Sequence, residues 1–268
     1  MSDPIPADLA RGLAASARRR GRFGDPLYFF TETSSTNDVA QSLAEHGAPE
    51  GAVVVAAAQT AGRGRFGRTW FSPPGAGLYV STVIRNGTAA PYLTLAGGVA
   101  VADGILAASG LPVEIKWPND IVVRDAGTAR RRKLAGILAE ASTSAEGLQY
   151  VILGFGINLR SAAYPPDLAD RATAIETELG RPVDGALLLT ETLAAFAASF
   201  EELAGGHSEA VLARWRQLAP SAHGSRVEWT SSAGTLAGTA EGIAEDGALV
   251  VRVGSRIERI ISGEVRWL

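Results

Sequence analysis

Gln59-Thr-Ala-Gly-Arg-Gly-Arg-Phe-Gly-Arg-Thr-Trp-Phe-Ser-Pro73 decides between two architectures. Within it, Gly62 to Gly67 satisfies the dinucleotide pattern G-x-G-x-x-G and follows Ala52–Ala58, an apolar, valine-bearing run that predicts a buried strand. In a doubly wound fold that motif opens a helix whose N-terminus holds a pyrophosphate. Here the chain continues Arg68-Thr-Trp-Phe-Ser-Pro-Pro74, and the paired prolines prevent a prompt helix start. The segment therefore predicts an irregular loop. Its glycines let backbone approach a ligand. Arg63, Arg65 and Arg68 are forked donors suited to phosphate or carboxylate, and Trp70 offers a face to a purine. We expect a lid without order of its own that folds over an anion. A merely solvated loop and a single-strand nucleic-acid contact are the alternatives.

Outward from this loop, helices are predicted at Ala7–Arg20, after the capping residues Thr33–Asp38 as far as Gly47, and at Tyr92–Ser109. Strands are predicted at Leu78–Ile84, Val113–Trp117, Ile121–Arg124, Leu134–Ala141 and Tyr150–Ile157. The polar Asp125–Arg132 connector reads as a hairpin loop. Short turns between successive strands favour antiparallel pairing over a doubly wound sheet. Two helices, Gly185–Leu203 and Ser208–Leu218, close this part. Beyond Pro220 the chain becomes short strands with regular turns (Arg226–Thr230, Thr235–Ile243, Ala248–Val253, Arg256–Ile261), the pattern of a small barrel. The expected division is 1–220, with 1–26 a short helix or arm, and 221–268.

Composition narrows the chemistry. The chain has no cysteine, and its three histidines lie far apart without ligand spacing, which argues against a thiolate or histidine-based metal enzyme. A net charge of −3 gives no global field for nucleic acid or anionic membrane. No signal peptide and no run approaching the roughly 20 apolar residues of a membrane span is read, so a cytoplasmic protein is expected.

Three further segments carry candidate chemistry. Lys116-Trp-Pro-Asn-Asp120 sets a cation, an amide and a carboxylate at a strand end, though Pro-Asn-Asp is also an ordinary turn. Lys133-Leu-Ala-Gly-Ile-Leu138 starts a strand with an unfavourable interior glycine. Gly154-Phe-Gly-Ile-Asn158 repeats that signal, with a β-bulge as the plain alternative.

With Ser35-Thr-Asn37 and the Gln59–Pro73 segment, these motifs closely resemble the biotin protein ligases, in the family's order over about Thr31 to Leu159. Asp246-Gly-Ala-Leu-Val-Val and Ser262-Gly-Glu-Val265 resemble its SH3-like C-terminal domain. The resemblance implies an α/β (α+β) catalytic domain, with a mixed, largely antiparallel sheet flanked by helices and a small SH3-like β-barrel. It implies formation of biotinyl-5'-AMP from biotin and ATP, then transfer to a lysine of a biotin carboxyl carrier protein of acetyl-CoA carboxylase. Ser35, Thr36, Asn37, Gln59, Gly62, Arg63, Gly64, Arg65, Lys133, Gly136, Leu138, Gly154 and Gly156 would bind biotin. Arg65, Arg68, Trp70, Lys116, Asn119 and Asn158 would bind ATP, with Trp70 stacking on adenine. Lys133, Arg65 and Lys116 would be catalytic, and Asp120 would contribute to a Mg2+ site; no tightly bound prosthetic group is implied. Regulatory relatives carry an N-terminal DNA-binding domain for which the segment before Thr31 is too short, so neither DNA nor membrane is an expected partner, and a monomer or weak homodimer is expected. A lipoate/octanoate-type ligase on the same scaffold and a non-catalytic metabolite-binding protein are the alternatives. Acceptor docking and support of the ATP loop are both open to the C-terminal domain.

The chemistry explains the cations. Adenylation brings a carboxylate against a phosphate; two unit charges 4 Å apart repel by about 4 kcal/mol at an effective dielectric of 20. A cation between them reverses the sign and stabilises the transition state. No general base is required, because the attacking carboxylate is already ionised.

Overall fold

The computed structural model describes residues 2–125, 127, 130–162, 164–231 and 234–268. Positions 126, 128 and 129 of the expected hairpin connector lie outside the described residues. In chain order the larger part comprises α1 (Ala7–Arg20), β1 (Leu27–Phe30), α2 (Thr36–Glu45), β2 (Val53–Ala56), β3 (Gly77–Ile84), α3 (Leu93–Ser109), β4 (Glu114–Lys116), β5 (Asp120–Arg124), β6 (Arg131–Ser144) and β7 (Gly147–Asn158), then α4 (Pro166–Ala169), α5 (Ile175–Leu179), α6 (Gly185–Ala204) and α7 (Ser208–Leu218). Five strands follow: β8 (His223–Ser231), β9 (Gly234–Ile243), β10 (Leu249–Val253), β11 (Arg256–Ile260) and β12 (Val265–Trp267).

The first seven strands form one sheet in the order β1-β2-β3-β7-β6-β5-β4. The β1–β2 pair is parallel and the others are antiparallel, giving the mixed, largely antiparallel sheet that the short turns predict. Helices cover both faces, so the interior strand β3 is buried along nearly its whole length, Ser81 and Thr82 included, with no alternation between buried and exposed positions. On one face α2 packs Ala40 and Ala44 over Val54, Val83 and Ile152. On the other, α3 is apolar nearly all round and lies between the sheet and α6, where Gly104 lets the helices approach: a Cβ there would sit 2.7 Å from the Thr192 Cα. This helix corrects the expectation that no run is long and apolar enough for a membrane: Ala90–Ser109 passes by length and composition, but 67% of its apolar 18-residue stretch is buried in this core. Each Leu or Ile so buried stabilises the fold by about 1.5–3 kcal/mol.

The last five strands form an antiparallel sheet, β11-β10-β9-β8-β12. Its Leu249, Val251, Ile260 and Val265 belong to the same apolar core as Leu95 and Trp117. Trp117 Nε1 also donates to Gly247 O at 3.0 Å, which ties the Lys116–Asp120 turn to the β9–β10 connection. The strands β1 and β12 and the short helices α4 and α5 lie where no element is predicted from sequence. Runs of three to five residues carry too little periodicity to be seen locally.

Candidate functional site

A cavity of about 1040 Å3 opens over the strand ends of the large sheet, and segments far apart in sequence supply its walls. Its floor lies where β3, β7 and β6 run side by side, with Gly156 paired to both Tyr79 and Gly136, and Gly154 to both Ser81 and Leu138. Each floor glycine has something lying on it. A Cβ on Gly154 would overlap the Asn37 side chain, one on Gly156 would overlap the Trp70 indole, and one on Gly136 would come within 3.1 Å of both Lys133 Nζ and Trp70. The interior glycines that look costly in the sequence are thus required by close approach.

One half of the cavity is neutral and tightly bonded. Ser35 is the N-cap of α2, but its side chain makes no cap bond; the Gln59 side chain supplies that acceptor instead, receiving the Thr36 N–H at 2.8 Å. Gln59 Nε2 donates to Ser72 Oγ at 2.9 Å. Ser81 Oγ lies 2.8 Å from Thr36 Oγ1 and 2.5 Å from Asn37 Oδ1, while Asn37 Nδ2 donates to Glu140 at 2.6 Å. Ser35, Thr36, Asn37 and Ser81 are all buried, and at such depth an unpaired polar group is costly, so the mutual bonds fix one arrangement.

The other half is cationic. Lys116 stands opposite Asp120 across the β4–β5 hairpin, whose Trp117–Pro118 bond is cis. Lys133 is inside β6, two residues past its start, and its Nζ reaches Asp120 Oδ1 at 2.5 Å while lying 5.1 Å from the centre of the Trp70 ring. Burial above all pushes the Lys116 ammonium below its usual range; Asp120 opposes that, and the charges of Lys133, Arg131 and Arg171 add to it. Arg65 enters from the glycine–arginine loop and donates to Asn119 Oδ1 at 3.2 Å; burial lowers its pKa too, with Asp120 and Glu264 opposing. Asn119 itself is clamped to β6 by exchange of two bonds with Ile137, Nδ2 to O at 2.8 Å and O from N at 2.9 Å.

The loop corrects the expectation of a segment without order of its own. It is a small hairpin, closed by Gly64 N–H to Arg68 O at 2.7 Å and Trp70 N–H to Gly62 O at 2.8 Å. Ion pairs pin it: Arg63 with Asp38 (2.5 Å) and Glu140 (3.1 Å), and Arg68 with Glu264 (2.5 Å) from the end of the C-terminal sheet. The acids that hold it are remote in sequence, which is why the loop looks unsupported when read locally.

All the sequence-predicted site residues line this one cavity except Gly62, which faces inward against Trp70 O, Ser72 and Gln59 and has a structural place instead. Two of the predicted nucleotide contacts have their side-chain amides engaged within the protein: Asn119 as above, and Asn158, whose Nδ2 donates to Thr173 O at 2.9 Å. Trp70 lies on the glycine floor with its Nε1 buried and unpartnered. Among the described residues no cluster of three His, Cys, Asp or Glu side chains is placed to hold a metal, and Asp120, the one metal candidate, is paired with Lys133. Wall residues outside the predicted site set include Tyr164, Arg171, Glu264 and Trp267.

Residues 29–158 match the biotin/lipoate A/B protein ligase family, and residues 222–266 match the biotin protein ligase C-terminal domain. A biotin–[acetyl-CoA-carboxylase] ligase of Paracoccus denitrificans is 34% identical over 227 residues, covering 82% of this chain and 91% of that protein. The chain belongs to the biotin protein ligase family. A bifunctional ligase/repressor of Bacillus spizizenii is 34% identical over 247 residues, covering 90% of this chain and 74% of that protein. Among solved structures, a biotin protein ligase of Aquifex aeolicus in complex with biotin and ATP superposes with a TM-score of 0.77 at 26% identity, covering 90% of this chain and 99% of that one. The helix-flanked mixed sheet with its C-terminal antiparallel sheet is therefore the biotin protein ligase architecture.

Proposed function

We propose that the chain is an ATP-dependent biotin protein ligase, which forms biotinyl-5'-AMP and transfers the biotinyl group to a lysine of a carrier protein. The observation that carries this reading is the convergence of Lys116, Lys133 and Arg65, from three separate segments, on one cavity beside a neutral hydrogen-bonding half.

The two halves suit the two substrates. The Thr36–Asn37–Gln59–Ser81 network, with Ser35 beside it, holds a neutral, polar ring system by shape and directed bonds, above a floor of Gly136, Gly154 and Gly156. The cations gather the carboxylate and the triphosphate. A carboxylate oxygen attacks the α-phosphorus, a P–O bond forms, and the bond to pyrophosphate breaks. Lys133 and Arg65 offset the repulsion of the two anions and stabilise the charge that develops. Lys116 and Arg68 neutralise the departing pyrophosphate. In the second step the neutral amine of the acceptor lysine attacks the acyl carbon, AMP leaves, and the amine loses a proton. Closure of the Gly62–Arg68 segment keeps water from the mixed anhydride meanwhile.

Trp70 serves adenine in this reading by leaving the glycine floor, where its indole stands in the way of a ligand. Asn119 and Asn158 serve ATP by holding Arg65 and the Thr173 wall in place. The donor set does not fit a resident magnesium ion: Asp120 and Glu264, the acids facing the cations, are paired with Lys133 and Arg68, and no three acids cluster among the described residues. Magnesium enters as the companion of ATP, carried mainly by phosphate oxygens. The unit 221–268 steadies the arginine loop through Glu264 and through Gly263 O, which lies 3.5 Å from Arg65 Nη2. The acceptor is the biotin carrier domain of an acyl-CoA carboxylase, in the cytoplasm.

Calorimetry with biotin, lipoate and octanoate, each with and without ATP, tests the assignment. Tight binding of biotin alone among the acids, strengthened by nucleotide, is expected. Preference for lipoate or octanoate moves the chain to the neighbouring specificity, and no acid binding at all removes the proposal.

A further inference from the structure

Arg171 is a cation of the cavity that no motif marks, lying in Ala-Asp-Arg171-Ala-Thr between α4 and α5. Its backbone is nevertheless fixed to the centre of the site. Lys133 N–H donates to Arg171 O at 2.7 Å, and Thr173 N–H donates back to Lys133 O at 2.9 Å, so that Ala172 and Lys133 pair as a short parallel bridge. Thr173 is anchored in turn: its carbonyl accepts from Asn158 Nδ2 at 2.9 Å, and its hydroxyl bonds Glu178. Arg171 thus rides on the strand that carries Lys133, and a shift of one entails a shift of the other.

Several nearby cations have acidic partners. Lys133 has Asp120, Arg68 has Glu264, Arg63 has Asp38 and Glu140, and Arg132 has Asp125 and Glu178. Lys116 and Arg65, by contrast, make no ion pair among the described residues, Arg65 bonding only Asn119 and Gly263 O. Among the described residues the Arg171 side chain has neither hydrogen bond nor ion pair. Its charge is felt across the cavity all the same: it depresses the Lys116 pKa and helps hold Glu264 low, though for Glu264 the Arg68 hydrogen bond matters most. A guanidinium held on fixed backbone, facing like charges and lacking an acid of its own, leaves an excess of positive field that an anionic ligand relieves.

We infer that Arg171 is a further phosphate-binding residue of this ligase, acting with Lys116 on the β,γ end of the nucleotide, which leaves as pyrophosphate. This rests on reading the cavity as an ATP site. It predicts contacts made by forked N–H donors to phosphate oxygens, with no covalent role.

The test is Arg171→Gln, with Arg171→Lys beside it, in the full chain. Calorimetry measures inorganic pyrophosphate and biotin, and steady-state assays measure KM for ATP and inhibition by AMP. Arg171→Gln should weaken pyrophosphate binding and raise KM for ATP by about tenfold, the effect of one charge-assisted contact. Biotin affinity and AMP inhibition should hold, and Arg171→Lys should recover part of the loss. Normal biotin affinity also shows that the variant is folded. If the unmodified chain binds ATP and pyrophosphate and Arg171→Gln matches it, this inference alone falls. If biotin and AMP weaken as much as pyrophosphate, Arg171 is a wall residue and the inference falls again. Failure of the unmodified chain to bind either ATP or pyrophosphate removes the nucleotide reading and this one together.

Discussion

The neutral and cationic halves of the cavity are built on opposite principles. Around Asn37 the polar atoms are buried and saturate one another; Ser81 is 0% exposed, and Asn37 bonds with both ends of its amide. Around Lys133 the charges are part-exposed, with Lys133 35% and Asp120 24% accessible, and positive groups outnumber the acids they face. The first half selects by shape, because no bond in it can be altered singly without leaving a buried polar atom unpaired. The second acts through field, and tolerates rearrangement while depending on charge. Substitutions that change volume should therefore damage the first half, and substitutions that change charge the second.

The largest effect is expected from Lys133→Ala. Loss of the cation between two anions should slow adenylate formation by about 10^2–10^3-fold, the scale of removing one preorganised stabiliser of developing charge. Pyrophosphate release in single-turnover assays measures it, and an unchanged rate would place the field elsewhere. Next comes Gly154→Ala, which drives a methyl into Asn37. Overpacking of this kind costs about 1–3 kcal/mol, so biotin affinity should fall by about 10- to 100-fold in calorimetry with the nucleotide response retained. If ATP were affected and biotin spared, the division into halves would be wrong.

Lys116 sharpens the comparison through pH. Burial and like charges lower its pKa from the usual 10.5. Because the protonated form is the one that attracts phosphate, kcat/KM for ATP should fall as pH rises through that lowered value, in free enzyme, well before an exposed lysine would titrate. Lys116→Arg stays charged and should move the alkaline limb upward; identical limbs would dissociate Lys116 from nucleotide binding. The smallest effect is expected from Glu264→Gln, which releases Arg68. Both partners are about 60% exposed, so an increase of only about two- to fivefold in KM for ATP is expected, consistent with the modest worth of exposed pairs.

Much of this was legible from residues alone, and the exceptions share a cause. The strands carrying Lys116, Lys133 and Gly154 announce themselves through apolar runs, and their unfavourable glycines point correctly at close approach. Gly62 gave the same signal, but what approaches it is Trp70 O and Ser72 rather than the cavity; a glycine reports crowding without naming the neighbour. Ser81 and Glu140 hold Asn37 from positions on β3 and β6 that look like ordinary strand residues. Glu264 and Arg171 depend on the return of distant segments to the mouth of the cavity, and tertiary placement of that kind leaves no local periodicity. The order within the arginine loop was missed for the same reason, since Asp38, Glu140 and Glu264 supply it from elsewhere.

The central claim is that cations from separate segments make one site where biotin and ATP react. Exchange of labelled pyrophosphate into ATP reads that step directly, before any acceptor is involved. The account predicts exchange by the unmodified chain that depends on added biotin and is lost in Lys133→Ala. Exchange that proceeds equally without biotin, or survives loss of Lys133, would contradict it.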